Sequence, residues 1–373
     1  MMAGATGRER SYVPGVPLLR MIGAVAVVYT HLAYWYQARG YEWSLAMVLN
    51  TSIVESLHLI DHFEAFGLSL FLVISGLVIT QAASKEAPGQ FGTRRAVRLL
   101  PALWVALLLA LLLVNTGLLN PGSGRGPASF GDLLGNMTLI EFFLSPHVIL
   151  IGPTWTLVVQ ISFYTFVALM IPVLRRWPWI VPAVGATLSS VVLSLVWDLE
   201  GSTHLWIGVI AAYMPMLFIG QVIMLAWTGR VPGWAAALLG SIHFLLFVRA
   251  DMIGRYVAIG DARPRTLFIA VLLVLVLLNA SGRIARHRAT SIFAARTYCL
   301  YLLHQMALYP VLDWAFPTLG EIPALLLAFA TTAVVTEAMY RFIEAPVSRH
   351  YRRWEKNRRK PATPRPTAAP VPS

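Results

Sequence analysis

Residues 98–119 read RLLPALWVALLLALLLVNTGLL, and after Arg98 the next charged side chain is Arg125. A helix needs about 20 mostly apolar residues to cross the hydrocarbon of a bilayer, where each backbone N–H and C=O must be satisfied within the segment. Moving outward from this stretch, comparable runs lie at 16–36, 65–83, 154–174, 177–197, 204–228, 232–249, 266–282, 297–315 and 322–343, ten in all. Composition agrees. Hydrophobic residues make up 57% of the 373-residue chain and charged residues only 12%, where a soluble domain carries about 25% charged. That balance excludes a disordered chain and an ordinary water-soluble enzyme. The single cysteine, Cys299, excludes an internal disulfide framework and any cage of several thiolates. The expected fold is all-α, a polytopic transmembrane bundle of about ten spans. Residues 133–151 are apolar too, but Ser145-Pro146-His147 and Gly152-Pro153 interrupt them, so an interfacial or re-entrant segment is expected there.

Charge sets the expected orientation. With the N-terminus in the cytoplasm, 23 of the 29 Lys and Arg residues fall on the cytoplasmic side, and 12 of the 17 acids fall outside. The opposite orientation would invert both biases, so the positive-inside rule favours two cytoplasmic termini and an even number of spans. The net charge of +12 is therefore read as a topology signal and not as a nucleic-acid footprint. No small-residue cleavage site follows the first apolar run, so a cleaved leader is not expected. Residues 1–15 are expected as a cytoplasmic N-terminus. Residues 351–373, basic and then rich in proline, are expected as a disordered cytoplasmic tail beside anionic lipid.

Ionisable and amide side chains inside apolar runs are costly and often mark function. Arg20 and His31 share the first run, eleven residues apart. On a helix they stand about 16 Å apart on nearly the same face. Arg20 reads either as a snorkelling anchor or as a functional cation. His31 reads either as a hydrogen-bonded polar residue or as a general base, because neutral imidazole accepts a proton near neutral pH. Arg94, Arg95 and Arg98 precede Pro101 where a loop should enter the third span. Arg95 and Arg98 are three apart, so both project from one side, and guanidinium forks suit phosphate oxygens. The same cluster also serves as a positive-inside signal. Trp155, Gln160 and Tyr164 mark the start of the fourth span, Gln160 and Tyr164 on one face. Tyr301 and His304 form a similar pair later. Hydrogen bonding between helices would account for either. His58 and His62 are four apart and could hold a metal, but the stretch lacks a metalloprotease pattern and no metal site is assigned.

Taken in order, these blocks resemble the membrane-integral acyltransferase-3 family. Arg20, ten residues, then His31 resembles its first-helix pattern. Leu70-Phe71 through Ser75-Gly76 is similar to its second-helix block, and Arg94-Arg95-x-x-Arg98-x-x-Pro101 to its basic entry to the third helix. Thr154-Trp155-Thr156-Leu157 through Phe163-Tyr164, Tyr301-Leu-x-His304 and Tyr340 to Pro346 are similar to later blocks. The resemblance covers residues 16–350. It implies transfer of an acyl group, acetyl by default, from cytoplasmic acyl-CoA to a hydroxyl of a sugar, glycolipid or glycosylated natural product in a bacterial cell membrane. It implies no permanently bound cofactor and no nucleic-acid partner, and is compatible with a homo-oligomer. His31 would be catalytic. Arg20, Arg94, Arg95 and Arg98 would serve the donor, with Trp155, Gln160, Tyr164, Tyr301 and His304 around the substrates. The chain departs from the family at Pro17-Leu18-Leu19, where Asp-Gly is usual before the arginine, and at Gln160, where a carboxylate is usual. Such a carboxylate would have to come from elsewhere, for instance Glu64 or Glu337. Two other functions fit the same polar residues: a transporter or flippase of a lipid-linked product, and a catalytically silent acyl-CoA binder.

Overall fold

The computed structural model describes residues 13–123, 126–145, 147–254 and 262–358. Fourteen helices follow one another among them: α1 Val16–Ala38, α2 Ser44–Leu49, α3 Phe66–Ala83, α4 Pro88–Asn115, α5 Phe130–Thr138, α6 Trp155–Arg176, α7 Ile180–Val196, α8 Ser202–Trp227, α9 Gly233–Ile253, α10 Ala262–Leu277, α11 Arg283–Arg286, α12 Arg288–Leu319, α13 Glu321–Met339 and α14 Ala345–Arg358. Among the described residues the only β pairing is one bridge between Ser123 and Ile149. The molecule is a polytopic helical bundle. Each of the ten expected runs falls on a helix, and seven helical segments are long and apolar enough to cross a bilayer. Of the others, α7 and α10 are short and α12 carries polar residues along its length.

Helix α8 is the axis. Of its most apolar stretch 78% is buried, against 28–56% in the other six long segments. It packs against α3, α7, α9 and α6. The α3–α8 approach is set by glycine: a Cβ on Gly76 would strike the Leu217 carbonyl, and one on Gly220 the Val73 carbonyl. Small residues let helix backbones close up where lipid offers no hydrophobic drive between helices. A second core joins α4, α5 and α12, and a third joins α1, α12 and α13. Outward, Leu108, Leu169, Leu195, Leu245, Val276 and Val334 are exposed, the large apolar surface that a bilayer would cover.

Three expectations change in detail. The third span, expected at 98–119, belongs to a helix that starts at Pro88, a first-turn position that proline favours, so Arg94, Arg95 and Arg98 all lie on helix and not in a loop. The interrupted stretch after residue 133 forms α5, capped reciprocally by Ser129 and Asp132, and then a 3-10 turn, Ile140–Phe143. The tail expected to be disordered from 351 is helical to Arg358. Its Glu355 accepts from Arg94 at 2.6 Å and Gln90 at 2.6 Å, and Tyr351 meets Thr93 at 2.8 Å, so α14 is docked on α4. The rest of that tail, and residues 1–12 of the expected N-terminal segment, lie outside the described residues. Residues 13–15 already pack: Val13 is buried and Gly15 lies against the end of α10.

The bundle has a basic end. There Arg230 donates to Ser84 at 2.9 Å and to the Leu174 carbonyl at 2.6 Å, and Arg175 donates to the Glu86 carbonyl at 2.6 Å. Cations thus satisfy the carbonyls left over where α3 and α6 stop.

Candidate active site

Helices α1, α3, α4, α6, α8 and α12 enclose a cavity of about 420 Å³, within the range that holds small-molecule ligands. Its course follows from helix direction. Arg95 and Arg98, early on α4, and Arg20, early on α1, lie at the basic end. Gln160 and Tyr164 on α6 follow, then Tyr301 on α12 and His31 on α1, and last Tyr34, Glu64 and Arg263. Arg20 lies within electrostatic reach of Arg98, Tyr164 and the buried Glu344. Arg95 is steadied by Glu86 at 3.1 Å and by the Phe91 ring, 5.0 Å below its guanidinium. The Gln160 carbonyl oxygen accepts from Ser75 at 3.4 Å and from Tyr164 at 3.2 Å. Tyr301 donates to the Pro153 carbonyl and meets Thr156 at 2.9 Å.

His31 is held from two sides. Its Nδ1 lies 2.9 Å from the side-chain amide nitrogen of Gln305, whose oxygen faces Gly152 unless the amide is turned over, and its carbonyl accepts from the Tyr309 hydroxyl at 3.1 Å. The His304 ring lies behind it, centroids 4.9 Å apart. Nδ1 of His304 donates to the carbonyls of Leu300 at 3.1 Å and Tyr301 at 2.9 Å, while its buried Nε2 has no partner among the described residues. The Gln305 contact fixes what His31 can do. An amide oxygen turned to Nδ1 accepts Nδ1–H and leaves Nε2 as a bare base. An amide N–H there puts the proton on Nε2 instead.

The far mouth is shaped by strain. His58, His62, Phe63 and Ala65 all have positive φ, from 49° to 67°. Non-glycine residues rarely adopt this conformation, and it persists only where surroundings impose it. Here Asn50 accepts from the His62 backbone at 3.1 Å and Thr30 donates to the His62 carbonyl at 2.9 Å. The segment sets Glu64 over the cavity, where Tyr34 donates to it and Arg263 pairs with it at 2.8 Å.

Arg20, His31, Arg95, Arg98, Trp155, Gln160, Tyr164 and Tyr301 therefore meet in one cavity. Arg94 and His304 do not line it. Arg94 clamps Glu86 at 2.8 Å and Glu355 at 2.6 Å on the outer side of α4, and His304 buttresses His31. Of the two carboxylates considered as replacements near Gln160, Glu64 lines the cavity, while Glu337 pairs with Arg296 and Arg341 away from it. Sequence reading did not single out Gln305, although it sits four residues after Tyr301 and so on the same helix face. Arg263 had no sequence signal at all, 199 residues from its partner.

The chain is thus a multi-pass helical bundle with arginines at one end of a buried cavity and an imidazole inside it. The acyltransferase-3 family model, described as an acyltransferase domain, matches residues 13–341, and the chain belongs to this family. It is an acyltransferase. Among its relatives, nodulation protein 10 of Rhizobium leguminosarum bv. viciae is 24% identical, over 79% of this chain and 83% of that protein. A peptidoglycan O-acetyltransferase of Listeria monocytogenes is 23% identical over 94% of this chain, which spans only 58% of that protein's length. No solved structure matches the chain.

Proposed function

We propose that the protein moves an acyl group, by default acetyl, from acyl-CoA at the basic end to a hydroxyl of a sugar-containing acceptor reaching the other end. The basic end would face the cytoplasm of a bacterial inner membrane, as the charge bias requires. One observation carries the reading: a single passage joins the Arg95–Arg98 pair to His31. Paired guanidinium groups suit the phosphates of CoA, and the pantetheine arm is narrow enough to run past Arg20, Gln160 and Tyr164. His31, with Gln305 turned to accept its Nδ1–H, takes the acceptor's proton as the oxygen attacks the thioester carbon. The C–S bond breaks, the proton passes to the thiolate, and CoA leaves as the thiol. The Tyr301 and Tyr164 hydroxyls are candidates to donate to the transient oxyanion. A sugar hydroxyl is the acceptor class that fits the relative acting on peptidoglycan.

The test is incubation of purified protein with radiolabelled acetyl-CoA and a soluble glycan, read as alkali-labile ester. Ester formation that His31→Ala abolishes supports the reading. CoA binding without ester formation for any acceptor, or substrate movement across vesicles without turnover, overturns it.

A further inference from the structure

A second cavity, of about 330 Å³, opens at the end opposite Arg95 and Arg98, between α1, α12 and the loop after α4. Leu119, Asn120, Arg39, Asp313 and Tyr309 line it, and two residues belong to its wall and to that of the first cavity: Gly152 and Gln305. Gln305 is the side chain that touches His31. We propose that this second cavity is the acceptor site, taking a neutral polyhydroxylated ring and delivering its hydroxyl to His31 past Gly152 and Gln305. The proposal rests on the acyltransferase reading above and adds the acceptor's place and chemistry to it.

Two independent observations carry it. The first is the polar equipment. Arg39 and Asp313 form a two-pronged pair, at 2.5 and 2.6 Å, with Trp35 donating to the same carboxylate at 2.9 Å and stacking 4.6 Å beneath the guanidinium. The pair, partly exposed at the cavity, carries no net charge and offers donors and acceptors side by side. That suits neighbouring hydroxyls of a sugar and not a phosphate, which would seek uncompensated cations. The second is Gly152 itself. Its backbone lies outside the positive-φ region, and a Cβ there would meet nothing closer than Gly122 at 3.5 Å and the Gln305 oxygen at 3.8 Å, both ordinary contacts. Neither strain nor crowding requires glycine at this position. Its missing side chain leaves the wall thin between the two cavities. Gly122 is the contrast, since a Cβ there would collide with the Gly152 backbone.

The decisive experiment enlarges position 152 stepwise, Gly152→Ala, Gly152→Val and Gly152→Leu, and narrows the mouth with Asn120→Trp. Two readouts are taken. One is alkali-labile ester, in cells and medium, from cells fed radiolabelled acetate. The other is binding of radiolabelled acetyl-CoA to the purified variants. Ester formation should fall progressively with side-chain size, to about a hundredfold loss for Gly152→Leu, the scale expected when a reactant is misplaced by an ångström. Asn120→Trp should lose less, and acetyl-CoA binding should hold throughout. Ester formation that stays at the wild-type level in both Gly152→Leu and Asn120→Trp overturns the proposal. So does a loss that tracks acetyl-CoA binding instead of side-chain size. Failure of the acyltransferase reading is separate and visible in the wild type, as protein that binds acetyl-CoA yet yields no ester.

Discussion

The two ends of the central passage are both rich in arginine, yet they are built differently. At the basic end, of the three arginines facing the cavity only Arg95 reaches a carboxylate in an ion pair among the described residues. At the far end Arg263 is matched by Glu64, and in the second cavity beside it Arg39 is matched by Asp313. The first end sets three arginines against Glu86 and the buried Glu344, and so keeps positive charge in hand for an anion. The second pairs its charges internally and presents hydrogen-bonding groups of no net charge. Counting arginines would not distinguish them, whereas the placement of carboxylates does. The contrast matches the two substrates proposed, a polyphosphate donor and a sugar acceptor.

Four substitutions and a labelling experiment probe this contrast. The deepest cut is at the junction of the two ends: His31→Ala should lower ester formation by about 10²–10⁴, the usual worth of general-base help, while acetyl-CoA binding persists. Loss of binding along with turnover would make His31 structural and dissolve the division of labour. Next comes the basic end. Arg95→Ala and Arg98→Ala should each weaken acetyl-CoA binding by about 1.5–3 kcal/mol, the value of a charge-assisted hydrogen bond, and added salt should narrow the difference. Equal binding in the double variant would remove the donor site from that end. The far end should respond more gently. Glu64→Gln removes a partly exposed ion pair worth about 1 kcal/mol or less, so a slightly lower melting temperature with unchanged acetyl-CoA affinity is expected. A large drop in that affinity would mean that the donor reaches Glu64 and that the ends are not separate.

Sidedness can be checked without any activity. In a Cys299→Ala background, Thr318→Cys should react with an impermeant thiol reagent in intact cells and Lys85→Cys should not. The reverse pattern would put the arginine pair out of reach of cytoplasmic CoA.

Much of this fold is legible along the chain. Each long apolar run satisfies its own backbone as a helix, and so announces itself without help from distant residues. The resemblance extends that legibility to the site, because Arg20, His31, Arg95, Arg98, Trp155, Gln160, Tyr164 and Tyr301 are named by local spacing and converge on one cavity. Arg94 shows where spacing stops informing. It adjoins Arg95, but successive residues on a helix point about 100° apart, so one faces the cavity and the other α14. The tail departs from expectation for a related reason. A basic segment of low hydropathy has little internal cause to fold, and α4 holds it through Arg94 and Gln90 on Glu355 and Thr93 on Tyr351.

The sequence by itself determined that this is a helical membrane protein with an asymmetric charge distribution and a histidine within its first span. Those properties live in single segments, and bilayer and helix geometry act on each one separately. Only the tertiary structure decided that Gln305 grips His31 from 274 residues away, that Glu64 rather than Glu337 supplies the cavity's far carboxylate, and that Gly152 stands between two cavities. Those facts depend on how helices rotate and cross when packed. Rotation is fixed by contacts such as Gly76 against Leu217, made between segments remote in sequence, and no single stretch of the chain encodes them.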